Sequence, residues 1–243
     1  MSVALNYQLS IFGKYSITPT PEIVTSLMTD INKATGELFL PNIINSQQIE
    51  IPSNRISTIS NLAFTTQDQK FSIALMNERI DVSYNRVVST EISINDFYSL
   101  AEKALSAIMS NANLMSNRLA VNIQMLVEIQ NADQLNVLGS TLIKSADYYG
   151  DKTLCEWSTR VNSKSTISIS GKEEGINTIT DISTAQSIQG QKPGLLYHID
   201  INTLPQNAGM RFDNSALRPF IDGVIPIATQ IIHDVERLIA SDK

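Results

Sequence analysis

The stretch from Phe71 to Ala112 constrains the fold more than any other segment, because it combines two short strands with an amphipathic helix. Apolar residues alternate with polar or small ones in Phe71–Leu75 and again in Ile80–Tyr84. A period of two turns one face of each strand toward a core. The strands flank the polar turn Asn77-Glu78-Arg79 and are predicted to pair as an antiparallel hairpin over residues 71–85.

The same stretch ends in a predicted helix over residues 93–112. Ser93 and Asp96 have the spacing of a capping box, and Ile92 and Phe97 occupy the two positions of a hydrophobic staple. The apolar residues that recur at helical spacing are Phe97, Leu100, Ala101, Ala104, Leu105, Ile108 and Met109. A hairpin that turns its apolar face to such a helix forms a nucleus to which further strands can be added.

The N-terminal third predicts a strand, a helix and two less regular segments. Val3–Phe12 alternates as a strand does, and Thr20 with Pro21 begins a helix over residues 21–35 that Gly36 can end. The segment from Phe39 to Ile51 is mixed, and only Gln47–Ile51 reads as a strand. Arg55–Thr65 has an irregular apolar rhythm, which indicates a strand with a bulge.

The C-terminal half predicts further strands at residues 118–130, 158–182 and 195–203, and helices at Asp133–Tyr149 and residues 214–240. Residues 158–187 are rich in Ser and Thr. The regular Ile alternation favours a hairpin with a charged turn at Gly171–Gly175, and a disordered linker is the alternative. Pro226 removes a helical hydrogen bond, so it is expected to kink the last helix or to mark a second helix start.

These elements predict an α+β fold with mostly antiparallel sheets and three or four amphipathic helices packed on one side. Strands followed by a helix occur twice, which predicts an N-terminal half of residues 1–112 and a C-terminal half of residues 113–243. One continuous domain is the alternative, since 243 residues suit either arrangement.

Composition narrows the classes of function. The net charge is −6 and there is no run of Lys or Arg, which argues against a general nucleic-acid or membrane-surface binder but leaves room for one local basic patch. No stretch approaches the ~20 apolar residues of a membrane span. A single cysteine, Cys155, excludes an internal disulfide, and the first residues lack the features of a signal peptide. We therefore expect a cytoplasmic protein.

The order of several motifs resembles a sporadically distributed family of uncharacterised bacterial proteins of about 250 residues. The motifs are the hairpin Phe71–Tyr84, Phe97-Tyr98 at a helix start, Arg118-Leu-Ala-Val-Asn-Ile as a strand, and Leu195–Asp200 before a last helix with His233. The resemblance covers roughly residues 60–240. The helix before the central strand is richer in Ala and Ser here than in the family. The family has no established activity, and its patchy distribution implies an accessory role, such as in mobile elements or phage defence.

Few residues in the sequence have the spacing of a catalytic, metal-binding or phosphate-binding site. His198 and Asp200 are two residues apart on a predicted strand, so they share a face and could ligate a metal or act as a base and its orienting partner. His233 and Glu236 have a spacing found in di-metal bundles, but those need several such segments. Cys155 has no adjacent cation to activate it. Ser170-Gly171-Lys172-Glu173 lacks the upstream glycine of a phosphate loop and is predicted to be a turn. The sequence predicts no cofactor.

These observations favour a non-catalytic protein that acts through a protein partner or through self-association. The predicted contact is made through residues 226–240 of the last helix. The apolar stripe of that helix, which includes Ile225, Ile232 and Ile239, is wider than one sheet face requires. A hydrolase or nuclease-like enzyme using His198 and Asp200 is one alternative, and a nucleic-acid-binding regulator is another.

Overall fold

The computed structural model describes residues 2–50, 55–87, 91–129, 132–142, 153–154, 156–186, 192–206 and 208–241. The strands in this part of the chain are β1 (Ser2–Phe12), β2 (Phe39–Glu50), β3 (Arg55–Thr66), β4 (Phe71–Leu75), β5 (Arg79–Asn85), β6 (Arg118–Glu128), β7 (Ser158–Ile169), β8 (Lys172–Gln186) and β9 (Pro193–Thr203). The α-helices are α1 (Pro21–Thr35), α2 (Ile94–Asn111), α3 (Ala132–Leu142) and α4 (Leu217–Ser241).

All nine strands belong to one antiparallel sheet in the order β2-β3-β4-β5-β1-β6-β9-β8-β7. The first strand of each half pairs with the last strand of that half, β1 with β5 and β6 with β9, and β1 and β6 then join the halves at the centre. The apolar side chains of the central strands point to the face that the helices cover. The predicted α+β architecture with a mainly antiparallel sheet is confirmed.

The predicted nucleus of hairpin and helix is present. Strands β4 and β5 pair from Phe71 opposite Tyr84 to Leu75 opposite Ile80. The Ser93 hydroxyl accepts a hydrogen bond from the backbone N–H of Asp96 at 3.1 Å, which begins α2. One turn later, Phe97 is fully buried and lies within 6.5 Å of three tyrosine rings, measured between centroids.

Helix α1 begins and ends at the predicted residues. The Thr20 hydroxyl accepts from the N–H of Ile23, Pro21 is the first helical residue, and Gly36 ends the helix with φ of 76°. Glycine adopts such a left-handed conformation without a Cβ clash. Leu27 and Ile31 are buried on the inner side of the helix.

Two predictions in the N-terminal half are wrong. Residues 39–50 form one twelve-residue strand, because every residue of β2 pairs with β3 and because Pro41 is tolerated at a sheet edge, where no neighbour needs its missing N–H. The bulge predicted in Arg55–Thr65 is absent, since the β2–β3 and β3–β4 registers run without a shift. A register shift occurs instead in β1, between Ala4 and Asn6.

The Ser- and Thr-rich segment forms the hairpin of β7 and β8, so the linker alternative is wrong. Its turn is shorter than predicted, because Lys172–Gly175 already belong to β8. The turn residues are Ser170 and Gly171, with φ of 51° and 77°. Two successive positive φ values match the twist of the flanking strands, as in the favoured two-residue hairpins.

Helix α4 continues through Pro226, so no second helix starts there. A short 3₁₀ turn at Asn214–Ala216 precedes it. The helix predicted over Asp133–Tyr149 is described as far as Leu142, and residues 143–149 and Cys155 lie outside the described residues.

Candidate functional site

The face of the sheet opposite the helices is polar along its central strands. The residues that point to this open face are Asn6, Gln8 and Ser10 of β1, Asp81 and Ser83 of β5, Asn122 and Gln124 of β6, and His198, Asp200 and Asn202 of β9. Their strand neighbours alternate with them and are buried beneath the helices. Amides, hydroxyls and carboxylates thus form a hydrogen-bonding surface in the middle of the sheet.

His198 and Asp200 lie on this open face, as their spacing predicts. His198 faces Gln124 of β6 and Asp181 of β8, while Asp181 pairs with Arg160 at 3.1 Å. Asp200 accepts a hydrogen bond from the Asn202 amide at 3.0 Å. Among the described residues, no three His, Cys, Asp or Glu side chains come together as a metal site.

Replacing His198 by Asn together with Asp200 by Ala is expected to leave self-association unchanged and to remove no bound metal, because the described neighbours of these two residues do not complete a metal site. Elemental analysis of the purified protein and of the variant measures this. Stoichiometric zinc, manganese or iron that disappears in the variant would contradict the expectation and favour the enzyme alternative.

A row of two arginines around an aromatic ring crosses the open face at one end of the central strands. Phe12 of β1 lies opposite Arg79 of β5 on one side and Arg118 of β6 on the other. The Arg118 guanidinium carbon lies 3.7 Å from the centre of the Phe12 ring, and that of Arg79 lies 5.9 Å away. Both distances are within the range of cation–π contact, so the ring holds the two cations on one surface.

The two arginines differ in their partners. Arg79 Nε lies 2.8 Å from Asp81, a carboxylate that is almost fully buried and also accepts a hydrogen bond from the Ser10 hydroxyl at 2.6 Å. The Nε of Arg118 is buried and has no hydrogen-bond partner among the described residues. A buried donor without a partner costs about 1–3 kcal/mol. Arg118 is therefore the energetically unsatisfied member of the row.

The electrostatic surroundings of Arg118 agree with this geometry. Burial lowers the pKa of its guanidinium, the carboxylate of Asp200 acts in the opposite direction, and Arg79 lowers the pKa further. Arg211, at the same end of the sheet, differs from Arg118 because its guanidinium group has hydrogen-bond partners. It lies 2.6 Å from Glu174 and also donates to the backbone carbonyl of Asn117.

Two hollows share Phe12 and Arg118. The smaller has a volume of about 190 Å³ and reaches across the open face to Asn122, Asp200 and Asn202. The larger, about 350 Å³, extends over the strand ends past Lys14, Glu78 and Asn117. Arg79 belongs to the turn of the predicted hairpin and Arg118 begins a predicted strand, but the sequence gives no sign that β1 lies between them.

A second notable surface is the free edge of β2. Leu40, Ile43 and Ile44 are 45%, 52% and 40% exposed, and the preceding Leu38 is 61% exposed. β2 occupies one end of the strand order, so its outer backbone groups have no strand neighbour within the described part of the chain.

The residues predicted as the interaction stripe of α4 are largely covered. Ile225 is 7% exposed, and Ile232 and Ile239 are partly buried against the core. His233 and Glu236 have different surroundings, since His233 is exposed while Glu236 accepts hydrogen bonds from the backbone and hydroxyl of Ser2. Association through α4 stays a prediction, although the exposed apolar side chains concentrate on β2.

None of the described helices combines the length and the apolar character that crossing a membrane requires. Comparison of the chain with models of protein families gives no match, and comparison with curated proteins gives no significant relative.

Proposed function

We propose that this protein is a non-catalytic binding protein that self-associates by pairing the β2 edge with the β2 edge of a second copy. The observation that carries the proposal is the run of exposed apolar side chains on a long edge strand. An edge strand presents unpaired N–H and C=O groups that can accept another strand.

The apolar residues lie on both faces of β2, so a partner strand would cover them on either side of the sheet. Ile43 pairs with Leu62 and therefore points to the helix side, whereas Leu40 and Ile44 lie on the open side. Pairing of two edges would continue the hydrogen-bond ladder and bury both sets of side chains at once.

Charge favours a second copy as the partner. Glu50 is the only charged residue of β2, so antiparallel pairing of two such strands opposes few like charges even though each chain has a net charge of −6. Antiparallel pairing of identical strands also has the two-fold symmetry that closes a dimer.

The opposite edge of the sheet does not have this character. β7 is exposed along most of its length and includes Arg160 and Lys164, and charged side chains on an edge discourage strand pairing. The two edges therefore differ in the property that matters for association.

Light scattering coupled to size-exclusion chromatography is expected to show a dimer, with twice the 26.8 kDa chain mass, at concentrations above the dissociation constant. Ile43→Lys is expected to raise the dissociation constant about tenfold or more, because each copy would then bring an ammonium group into the apolar pairing edge. The matched control is Val161→Lys, since Val161 is an exposed β-branched residue on the helix side of the other edge strand.

Circular dichroism on each variant establishes that it is folded. A monomer at every concentration of the wild-type chain would contradict the proposal. So would a dimer that is insensitive to Ile43→Lys, and loss of that dimer in a folded Ile232→Glu variant would transfer the contact to α4.

A further inference from the structure

We propose that the row of Arg79, Phe12 and Arg118 is the binding site for an oxyanion, a carboxylate or a phosphate group of a small ligand, and that Arg118 is its main contact. This site is separate from the β2 edge and does not depend on self-association. Its evidence is that Arg118 lines two adjoining hollows and that its Nε is buried without a hydrogen-bond partner among the described residues.

The cation is held in a fixed position before any ligand arrives. Arg118 is the first residue of β6, opposite Phe12 in the β1–β6 register, and its guanidinium carbon lies 3.7 Å from the ring centre. This cation–π contact restricts the position of the Arg118 side chain. Arginine presents its N–H groups as a rigid fork that matches the two oxygens of a carboxylate or phosphate.

The neighbouring arginine does not compete for the same role. Arg79 is bound through its Nε to Asp81, which also accepts a hydrogen bond from the Ser10 hydroxyl, so a carboxylate already balances its charge. Lys14 adds a further cation at the rim of the larger hollow. Each of the two hollows is thus lined by two cations, Lys14 and Arg118 in the larger and Arg79 and Arg118 in the smaller, and Arg118 is common to both.

The hollows also contain groups that would select among oxyanions. The smaller one is lined by the amides of Asn122 and Asn202, which can donate to further ligand oxygens. Two carboxylates, Asp200 and Glu78, lie on the walls and disfavour a ligand that presents only negative charge. The site therefore suits an oxyanion joined to a hydroxyl or amino group that can donate to one of these carboxylates. A volume of about 190 Å³ fits such a group of a few heavy atoms.

Heteronuclear NMR titrations with sodium phosphate and with sodium glycolate, each against sodium chloride of equal ionic strength, test the site. We expect at least one of the two anions to shift the backbone amides of Phe12, Arg118 and Asn122 saturably, with a dissociation constant of about 1 mM, as for a few charge-assisted hydrogen bonds. A response to phosphate alone assigns a phosphate ester, and a response to glycolate alone assigns a carboxylate.

Arg118→Gln is expected to weaken the response about tenfold or more. Arg118→Lys keeps the positive charge next to Phe12 but removes the planar guanidinium group. It therefore distinguishes loss of the paired N–H donors from loss of folding. The matched control is Arg160→Gln, since Arg160 lies on the same open face near the sheet edge and pairs with Asp181.

The proposal is overturned if neither anion gives a saturable shift beyond that of chloride. It is also overturned if folded Arg118→Gln binds as the wild-type chain does, or if Arg160→Gln loses binding to the same extent.

Discussion

Replacing Phe97 by alanine is expected to lower the free energy of unfolding by about 3–5 kcal/mol, the usual cost of deleting a large buried aromatic side chain. Phe97 is fully buried, and its ring centre lies 4.9 Å from that of Tyr98 and 5.6 Å from that of Tyr7. Because these rings belong to β1 and to α2 itself, the cavity would open between α2 and the sheet. Urea denaturation followed by circular dichroism measures the change.

Lys103→Ala is the matched control for this experiment, since Lys103 is on the exposed side of the same helix. A surface change of this kind is expected to stay within about 0.5 kcal/mol. A loss below about 1 kcal/mol in Phe97→Ala would show that the site collapses or that α2 is not part of the core.

Raising the pH above about 10 is expected to unfold the protein cooperatively. Several tyrosines are buried, and burial disfavours the negatively charged tyrosinate. Burial raises the pKa of Tyr7 and of Tyr197 to about 12 and that of Tyr98 well above its usual value. In the unfolded chain these phenols lose their protons near pH 10.

The raised pKa values of the buried tyrosines determine how stability changes with pH. A raised pKa in the folded protein means that the folded state keeps protons that the unfolded state loses, so stability is fully present below about pH 10 and falls as the pH rises toward the folded-state pKa values. Each tyrosine that stays protonated costs up to about 1.4 kcal/mol per pH unit in that window. Since small domains have only about 5–15 kcal/mol of stability, several such groups suffice for unfolding near pH 12.

Tyrosinate absorbance and far-ultraviolet circular dichroism, recorded together against pH, measure this transition. The Tyr98 hydroxyl donates to the backbone carbonyls of Gln8 and Asn122 and so bridges the two central strands. Tyr98→Phe is therefore expected to be less stable at neutral pH but to lose less stability per pH unit above 10. Tyrosinate that forms near pH 10 while the circular dichroism stays native would contradict the expected order of events.

The elements that sequence predicts well are those whose determinants are local. Helix α1 has the residues that begin and end it, Thr20 and Gly36, directly at its two ends. The β4–β5 hairpin has two alternating strands beside its own turn. The β7–β8 hairpin is equally local, although the Ser-Gly turn is two residues where charge alone suggested five. Period and capping act over distances of a few residues, so they are visible in the chain itself.

The remaining features depend on residues far apart in sequence. The sequence of Phe39–Glu50 does not indicate that β3 pairs with all of it, because its apolar residues do not alternate regularly with polar ones. The α4 stripe looked wider than one sheet face requires because the sequence does not show that Ile225 faces the core and that Ile232 and Ile239 pack against it.

The candidate site is non-local to a greater degree. Arg79, Phe12 and Arg118 come from three different elements, and their common row exists only because β1 inserts between β5 and β6. His198 and Asp200, in contrast, share a strand, so their common face could be predicted from a spacing of two.

The position of β1 also determines when the sheet can be completed during protein synthesis. Phe12 and its partner Arg118 are separated by about a hundred residues. At the usual elongation rate of about 5–20 residues per second, the translating ribosome needs roughly 5–20 s to bridge that interval. The strands β2 to β5 can assemble during this time. β1, which includes Leu9 and Ile11, can then pair with β5 on one side only. Until β6 has been synthesised, the edge of β1 that will pair with it therefore has no partner strand.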